Sequence, residues 1–144
     1  LNNFLNLKAQ KHHIDPKNVT LEILEDIVID GSDNMSHQIN QLRDAGYVIA
    51  IDDFGVESSN MSRITDLNID FIKIDGSFIK DLDTNEKHYQ IVESLVYMAK
   101  KLKMKVVAEY VHNEAIYLLV KELGIDYSQG YYFSEPMRNI ELSY

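Results

Sequence analysis

Cysteine is absent from the sequence, which excludes disulfides, zinc–thiolate sites and cysteine nucleophiles and fits a reducing compartment. Proline occurs only twice and no low-complexity tract interrupts the chain, so no linker is marked and residues 1–144 read as a single unit. No apolar run approaches the roughly 20 residues that a membrane-crossing helix needs. The opening residues, Leu1 to Lys11, lack the basic region and cleavage site of a signal peptide. The expected location is cytoplasmic, with membrane tethering of a larger parent protein left open. Basic residues are scarce: 14 Lys and Arg face 23 Asp and Glu, for a net charge of −9. A surface of that sign lacks the basic stripe that tracks a nucleic-acid polymer. It suits the gathering of divalent cations that bridge to a small phosphate ligand, although solubility is the simpler account of net charge taken alone. Glycine-rich phosphate loops are missing. His12, His13, His37, His88 and His112 show no paired metal-ligand spacing, so each reads as a surface or capping residue.

What is present is an ordinary globular composition, 45% hydrophobic and 26% charged, arranged with a clear rhythm. Short apolar or β-branched runs (Val19 to Leu24, Tyr47 to Asp52, Phe71 to Asp75, Lys105 to Tyr110, Tyr127 to Phe133) alternate with helical stretches. The first helix runs to about Lys11. Met35, Ile39 and Leu42 fall at helical spacing, with Gly46 as a stop. Ile91, Leu95, Met98, Ala99 and Leu102 form a longer stripe, preceded by Asp83 and Glu86 in the spacing of a capping box. Asn113 is placed to cap a helix carrying Ile116, Leu119, Val120 and Leu123, closed by Gly124. Strand–helix alternation implies parallel strands joined by right-handed crossovers, in either a doubly wound sheet or a (β/α) barrel.

Acidic and polar residues collect at the C-terminal ends of these runs: Glu22 and Glu25, Asp52 and Asp53, Lys73 and Asp75, Glu109, and Gln129. That end of a parallel sheet is where α/β sites are built. Alternation puts Val48, Ala50 and Asp52 on one face and Ile49 and Ile51 on the other, and sets Lys73 opposite Ile72 and Ile74. If the isoleucines face the helices, Asp52 and Lys73 face a barrel interior. A lysine there needs carboxylate partners. A lone acid after a strand is commonly a helix cap, and Asp75 before Gly76 and Ser77 fits that role. Several strand ends bearing acids together favour Mg²⁺ or Mn²⁺, with adjacent aspartates suited to a pair of ions and to phosphoryl chemistry.

The segments "TLEILED", "IAIDDFG", "DFIKIDGSFI", "VVAEYV" and "QGYYFSEPM" resemble, in order and spacing, the EAL-type cyclic di-GMP phosphodiesterases over roughly Asn18 to Met137. The resemblance implies the C-terminal part of a TIM-like barrel, incomplete in this chain. It implies hydrolysis of cyclic di-GMP to the linear dinucleotide pGpG by the intact parent protein, with two Mg²⁺ or Mn²⁺ ions per site. Carried over, Glu22 and Asp52 hold one ion, and Asp52, Asp53 and Glu109 the second. Lys73 and Glu109 act at the reacting phosphate and water, Gln129 orients water or ligand, and Glu25 steadies the loop after Asp53. Three departures stand out: Leu24 in place of a threonine, Val56-Glu57-Ser58 in place of Thr-Gly-Tyr, and Tyr110 in place of a frequent glycine.

The Glu-Ala-Leu motif itself and an asparagine ligand would lie on strands preceding residue 1, since eight strands need about 250 residues and the chain has 144. The expectation is therefore an isolated chain with little or no activity that dimerises or exchanges strands to cover open edges, taken from a parent carrying GGDEF or sensor domains. The alternative is a degenerate EAL domain that binds cyclic di-GMP or a protein partner without cleaving it.

Overall fold

The computed structural model describes residues 1–25, 33–56, 64, 65 and 67–137. Five strands, β1 (Thr20–Leu24), β2 (Val48–Phe54), β3 (Phe71–Ile74), β4 (Lys105–Ala108) and β5 (Tyr127–Ser128), form one parallel sheet in the order β1-β2-β3-β4-β5. Each strand lies beside its predecessor, so the chain always advances the same way. A doubly wound sheet reverses its strand order at a switch point, whereas a barrel does not. The winding is therefore that of a TIM-like barrel, of which these five strands are consecutive staves.

The helices are α1 (Asn2–Lys11), α2 (Asp33–Asp44), the short α3 (Gly76–Ile79), α4 (Glu86–Lys101) and α5 (Glu114–Glu122). The apolar sides of α2, α4 and α5 meet one face of the sheet, and α1 packs on α2. Ile49, Ile51, Ile72, Ile74, Val106 and Ala108 of that face are fully or almost fully buried with Ile39 and Leu42 of α2, Val92, Val96 and Ala99 of α4, and Ile116 and Val120 of α5. Register ties the rows together, Ile23 to Ile51 to Ile72 to Val106. This continuous β-branched layer is what a parallel sheet covered by helices demands. The other face carries Glu22, Ala50, Asp52, Phe71, Lys73 and Val107, which alternate with the buried set.

Several local expectations hold. Asn113 accepts the Ile116 amide at 2.9 Å as the cap of α5. Asp75 accepts the Ser77 amide at 2.8 Å as the cap of α3, and Gly46 ends α2 at φ 99°. Others need correction. Asn85 caps α4, its side chain taking the His88 amide, whereas Asp81 pairs with the His88 ring at 2.6 Å. The cap therefore sits two residues after Asp83, because Asp81–Thr84 are already committed to a turn that closes through the Asn85 amide. On α4 the expected stripe holds at Leu95 and Ala99, which are buried, and at Met98, which packs against the core, but its ends Ile91 and Leu102 are exposed and Val92 and Val96 are buried in addition.

The last strand stops at Ser128 instead of continuing to Phe133. Gly130 lies against the Val111 backbone where no Cβ would fit, and Phe133 donates its amide back to Gly130. Tyr132 and Phe133 consequently pack on Tyr117 of α5, at ring separations of 5.5 and 5.6 Å, rather than within the sheet. Val56 is the last described residue of its loop, so the altered positions Glu57 and Ser58 lie outside the described residues.

Ile72 sits at the centre of the buried layer, paired with both Ile51 and Val106. Ile72→Ala is expected to cost about 2–5 kcal/mol of stability, read as a lower urea midpoint with unchanged slope. A loss below about 1 kcal/mol would mean that the layer repacks and is not the anchor of the sheet.

Candidate metal centre

β2 starts as a regular strand and ends as a bulged one. Ile51 pairs with Ile72 and Phe54 with Ile74, so three steps on β2 are matched by two on β3. The extra residue is accommodated by Asp53, which adopts φ 55°, a left-handed conformation that aspartate tolerates better than most residues. Strict alternation would send Asp53 to the helix side with Ile49 and Ile51. The bulge instead gives that place to Phe54, which is fully buried, and leaves Asp53 exposed at the C-terminal end of the strand. There one carboxylate oxygen from each of Asp52, Asp53 and Glu109 lies within 4.8 Å of the others. Glu109 is the first residue after β4, held by the hydrogen bond that its backbone N–H donates to the Ile74 carbonyl.

Lys73 projects from β3 into the same place and is only 7% exposed. Its ammonium donates to Asp52 at 2.7 Å, Glu109 at 2.8 Å and Glu22 at 3.1 Å. Burial disfavours the charged amine, but hydrogen bonds to Asp52, Glu109 and Glu22 outweigh it and hold the Lys73 pKa well above its ordinary value. Lys73 thus pairs with three carboxylates, and Asp53 adds a fourth beside Asp52 and Glu109, so one ammonium stands among four acids. Burial pushes the Glu109 carboxyl up, Lys73 opposes this, and Asp52 and Asp53 add to the rise. Asp53 is raised by loss of hydration first, and then by the charges of Asp52 and Asp75.

A crowd of hard anionic oxygens at mutual ligand distance, with neither thiolate nor imidazole among them, is a donor set that fits Mg²⁺ or Mn²⁺. Asp52, Asp53 and Glu109 are the residues placed to hold such an ion directly. Glu22 joins the group through Lys73 and is not in the three-carboxylate cluster. Glu25, just past β1 and almost fully buried, accepts the Gly55 amide at 3.0 Å. It thereby ties the end of β1 to the turn that follows the bulge. Gly55, at φ 101°, lies where a Cβ would come within 3.0 Å of Leu95 of α4.

Gln129 is held by its backbone, donating to Ala108 at 2.9 Å and accepting from Val111 at 3.0 Å. Its side chain lines two hollows. One, of about 360 Å³, lies over the inner sheet face with Glu22, Ala50 and Lys73. The other is a groove of about 760 Å³ bordered by Glu109, Asp75, Tyr110 and His112. Two arrangements appear only in the structure. Asp75, noted among the strand-end acids and read as a cap, also stands close enough to Asp53 to influence its charge. Tyr110, noted as a departure, and His112, read as a surface or capping residue, together form one wall of the groove.

Comparison with known proteins adds to this geometry. The family model described as the EAL domain matches residues 1–136. The chain is 40% identical over 131 residues to cyclic di-GMP phosphodiesterase PdeF of Escherichia coli (strain K12), which covers 91% of this chain and 18% of that protein. Its fold is similar to that of the PaMucR phosphodiesterase in complex with c-di-GMP, with a TM-score of 0.90 at 30% identity, over 94% of this chain and 55% of that one. It is similar also to Klebsiella pneumoniae BlrP1 in a manganese and cy-diGMP complex, with a TM-score of 0.87 at 32% identity, over 93% of this chain and 34% of that one. The chain spans about a fifth of the length of the curated relatives it matches.

The left-handed bulge makes Asp53 a place where stability and charge conflict. Asp53→Gly is expected to raise folding stability by about 1 kcal/mol, since glycine takes this conformation without strain and one negative charge leaves the cluster. Mn²⁺ is expected to raise the melting temperature of the unsubstituted chain, and the same variant should lose most of that gain. A variant that melts lower, or that gains as much from Mn²⁺ as the unsubstituted chain, would contradict this account of the bulge.

Proposed function

The chain belongs to the EAL domain family, and on that premise we propose that its intact parent protein hydrolyses cyclic di-GMP to pGpG in the cytoplasm, with Mg²⁺ or Mn²⁺ as cofactor. The observation that carries this reading is the convergence of Asp52, Asp53 and Glu109 within mutual ligand distance beside the buried Lys73 ammonium. Asp52, Asp53 and Glu109, with Glu22 at the margin, hold the divalent ions in this proposal. Such ions supply Lewis acidity toward phosphoryl oxygens and acidify water at the site.

The remaining work falls to the protein's own groups. Lys73 presents a fixed positive charge that orients the attacking water and offsets charge growing on the non-bridging oxygens. Gln129, on the wall shared by the two hollows, positions ligand or water through its amide. Glu25 acts through the Gly55 amide as a positioning residue: it fixes the turn after the bulge and so the direction of the Asp53 carboxylate. The overall acidity of the chain disfavours a nucleic-acid polymer and is compatible with a small anionic dinucleotide only where cations bridge.

The test is chromatographic detection of pGpG after incubation of the intact protein with cyclic di-GMP and Mn²⁺. Product is expected, and Glu109→Gln should reduce turnover by at least about 10²-fold through loss of a ligand. Binding without product would assign a sensor role instead, and neither binding nor product would remove cyclic di-GMP from consideration.

The isolated 144-residue chain is a separate matter. Among the described residues β1 and β5 each leave one edge unpaired, and paired or exchanged strands are the expected way to cover them. Light scattering should therefore find a dimer or larger species; a monodisperse monomer would refute this part of the proposal.

A further inference from the structure

Tyr110 follows the cluster ligand Glu109 directly, yet its own side chain turns to the groove of about 760 Å³ that adjoins the cluster. Its backbone adopts φ 57°, a conformation that bulky L residues rarely accept. The surrounding structure holds it there. Val111 is fully buried and is clamped on both sides, its amide donating to Gln129 at 3.0 Å and its carbonyl accepting from Tyr132 at 3.1 Å. Opposite, Gly76 is bare: a Cβ on it would come within 2.7 Å of the Tyr110 Cβ and 3.3 Å of its Cγ. The absence of a side chain at position 76 thus makes room for the one at position 110.

The ring so placed is 61% exposed and is backed by another. His112 lies 5.4 Å away, centroid to centroid, and is fixed at both nitrogens: Nδ1 donates to the Tyr110 carbonyl at 3.2 Å, and the Asn113 amide reaches Nε2 at 3.1 Å. An exposed aromatic on a constrained backbone, backed by a second ring and turned to an open groove, has no packing role of its own. Ser77, Lys80 and Gln129 line the same groove and offer a hydroxyl, an ammonium and an amide to whatever lies against the ring. The groove reaches from Glu109 of the carboxylate cluster to the Tyr110 ring, so it is open to the base of a nucleotide whose phosphate lies at the cluster. Aromatic side chains are effective platforms for bases, because every base presents a π face.

We propose that the Tyr110 ring, backed by His112 and admitted by Gly76, is the stacking wall for one purine base of the cyclic dinucleotide, and so a substrate-binding residue of this site. The inference rests on the phosphodiesterase reading for the position of the phosphate. It goes beyond that reading in assigning base recognition to a residue that stands where the family frequently has glycine. The volume of the groove admits a bicyclic base together with edge contacts from Ser77 and Gln129.

The test is steady-state kinetics and calorimetry on the intact protein with Mn²⁺ and cyclic di-GMP. Tyr110→Phe, which keeps the ring, should retain KM within about twofold. Tyr110→Leu and Tyr110→Gly should raise KM about tenfold or more with kcat nearly unchanged, the loss expected for one stacked base. Tyr110→Leu keeps a side chain of comparable bulk, so it separates stacking from a collapse of the groove should the glycine variant fold poorly. Gly76→Ala, by crowding the ring, should raise KM when Tyr110 is present and have little effect in the Tyr110→Gly background. An active protein whose KM is indifferent to Tyr110→Leu and Tyr110→Gly would overturn the stacking wall and leave the phosphodiesterase reading intact. A protein that gives no product, but whose calorimetric Kd for cyclic di-GMP weakens about tenfold in Tyr110→Leu, would keep the wall and overturn the catalytic reading. No binding by the unsubstituted protein would overturn both.

Discussion

Lys73 is the point on which the site depends. A nearly buried ammonium meets three carboxylates carried by three strands, Glu22 in the middle of β1, Asp52 in β2 and Glu109 just after β4. An unpaired charge so placed would be costly, and so would carboxylates crowded together without a cation. Each side therefore makes the other tolerable. The balance is incomplete, since four acids lie about one base; the Glu109 and Asp53 carboxyls are raised first by loss of hydration and then by the neighbouring acids. A site left negative in this way attracts cations, and a bound divalent ion would relieve the same imbalance that weakens the free protein.

The second constraint is the bulge in β2. A regular strand cannot present two consecutive side chains to one site, because successive residues point to opposite faces. The inserted residue breaks that rule once, at Asp53, and two things follow together. Phe54 enters the hydrophobic layer in the place alternation would have given to Asp53, and Asp53 joins Asp52 and Glu109. Core packing and site geometry are thus linked through one backbone irregularity. Glu25 and Gly55 extend the linkage. The buried carboxylate holds the amide just after the bulge, and the bare glycine allows the turn to lie against Leu95 and Phe78. Events on the outer helices therefore have a packed route to the Asp53 carboxylate, which is a physical connection rather than a demonstrated coupling.

Much of the fold was legible because it follows from short-range pattern. The isoleucine alternation in β2 and β3 identified the helix-facing side, and from it the opposite placement of Asp52 and Lys73. The Asn113 cap and the Gly46 stop are local devices whose chemistry lies within a few residues. The misreadings have equally local explanations. Tyr131 to Phe133 carry the composition of a strand, but Gly130 is pressed against Val111, a contact between residues remote in the chain, and the backbone turns away. On α4 the buried side is centred on Val92, Leu95, Val96 and Ala99, so the apolar residues at the ends of the stripe, Ile91 and Leu102, face outward.

The sequence by itself determined that this is a parallel α/β framework with acids and one lysine at the C-terminal ends of its strands, and its motifs determined the family. These properties are carried by residue type and period, which folding does not alter. The strand order that singles out barrel winding, the bulge that turns Asp53 toward Asp52, and the closeness of Asp75 to Asp53 were decided only by the tertiary structure. So was the wall that Tyr110 and His112 make beside the cluster. The reason is common to all of them. Each depends on contacts between segments separated by twenty or more residues, or on a backbone conformation imposed by such contacts, and neither leaves a mark in the local pattern.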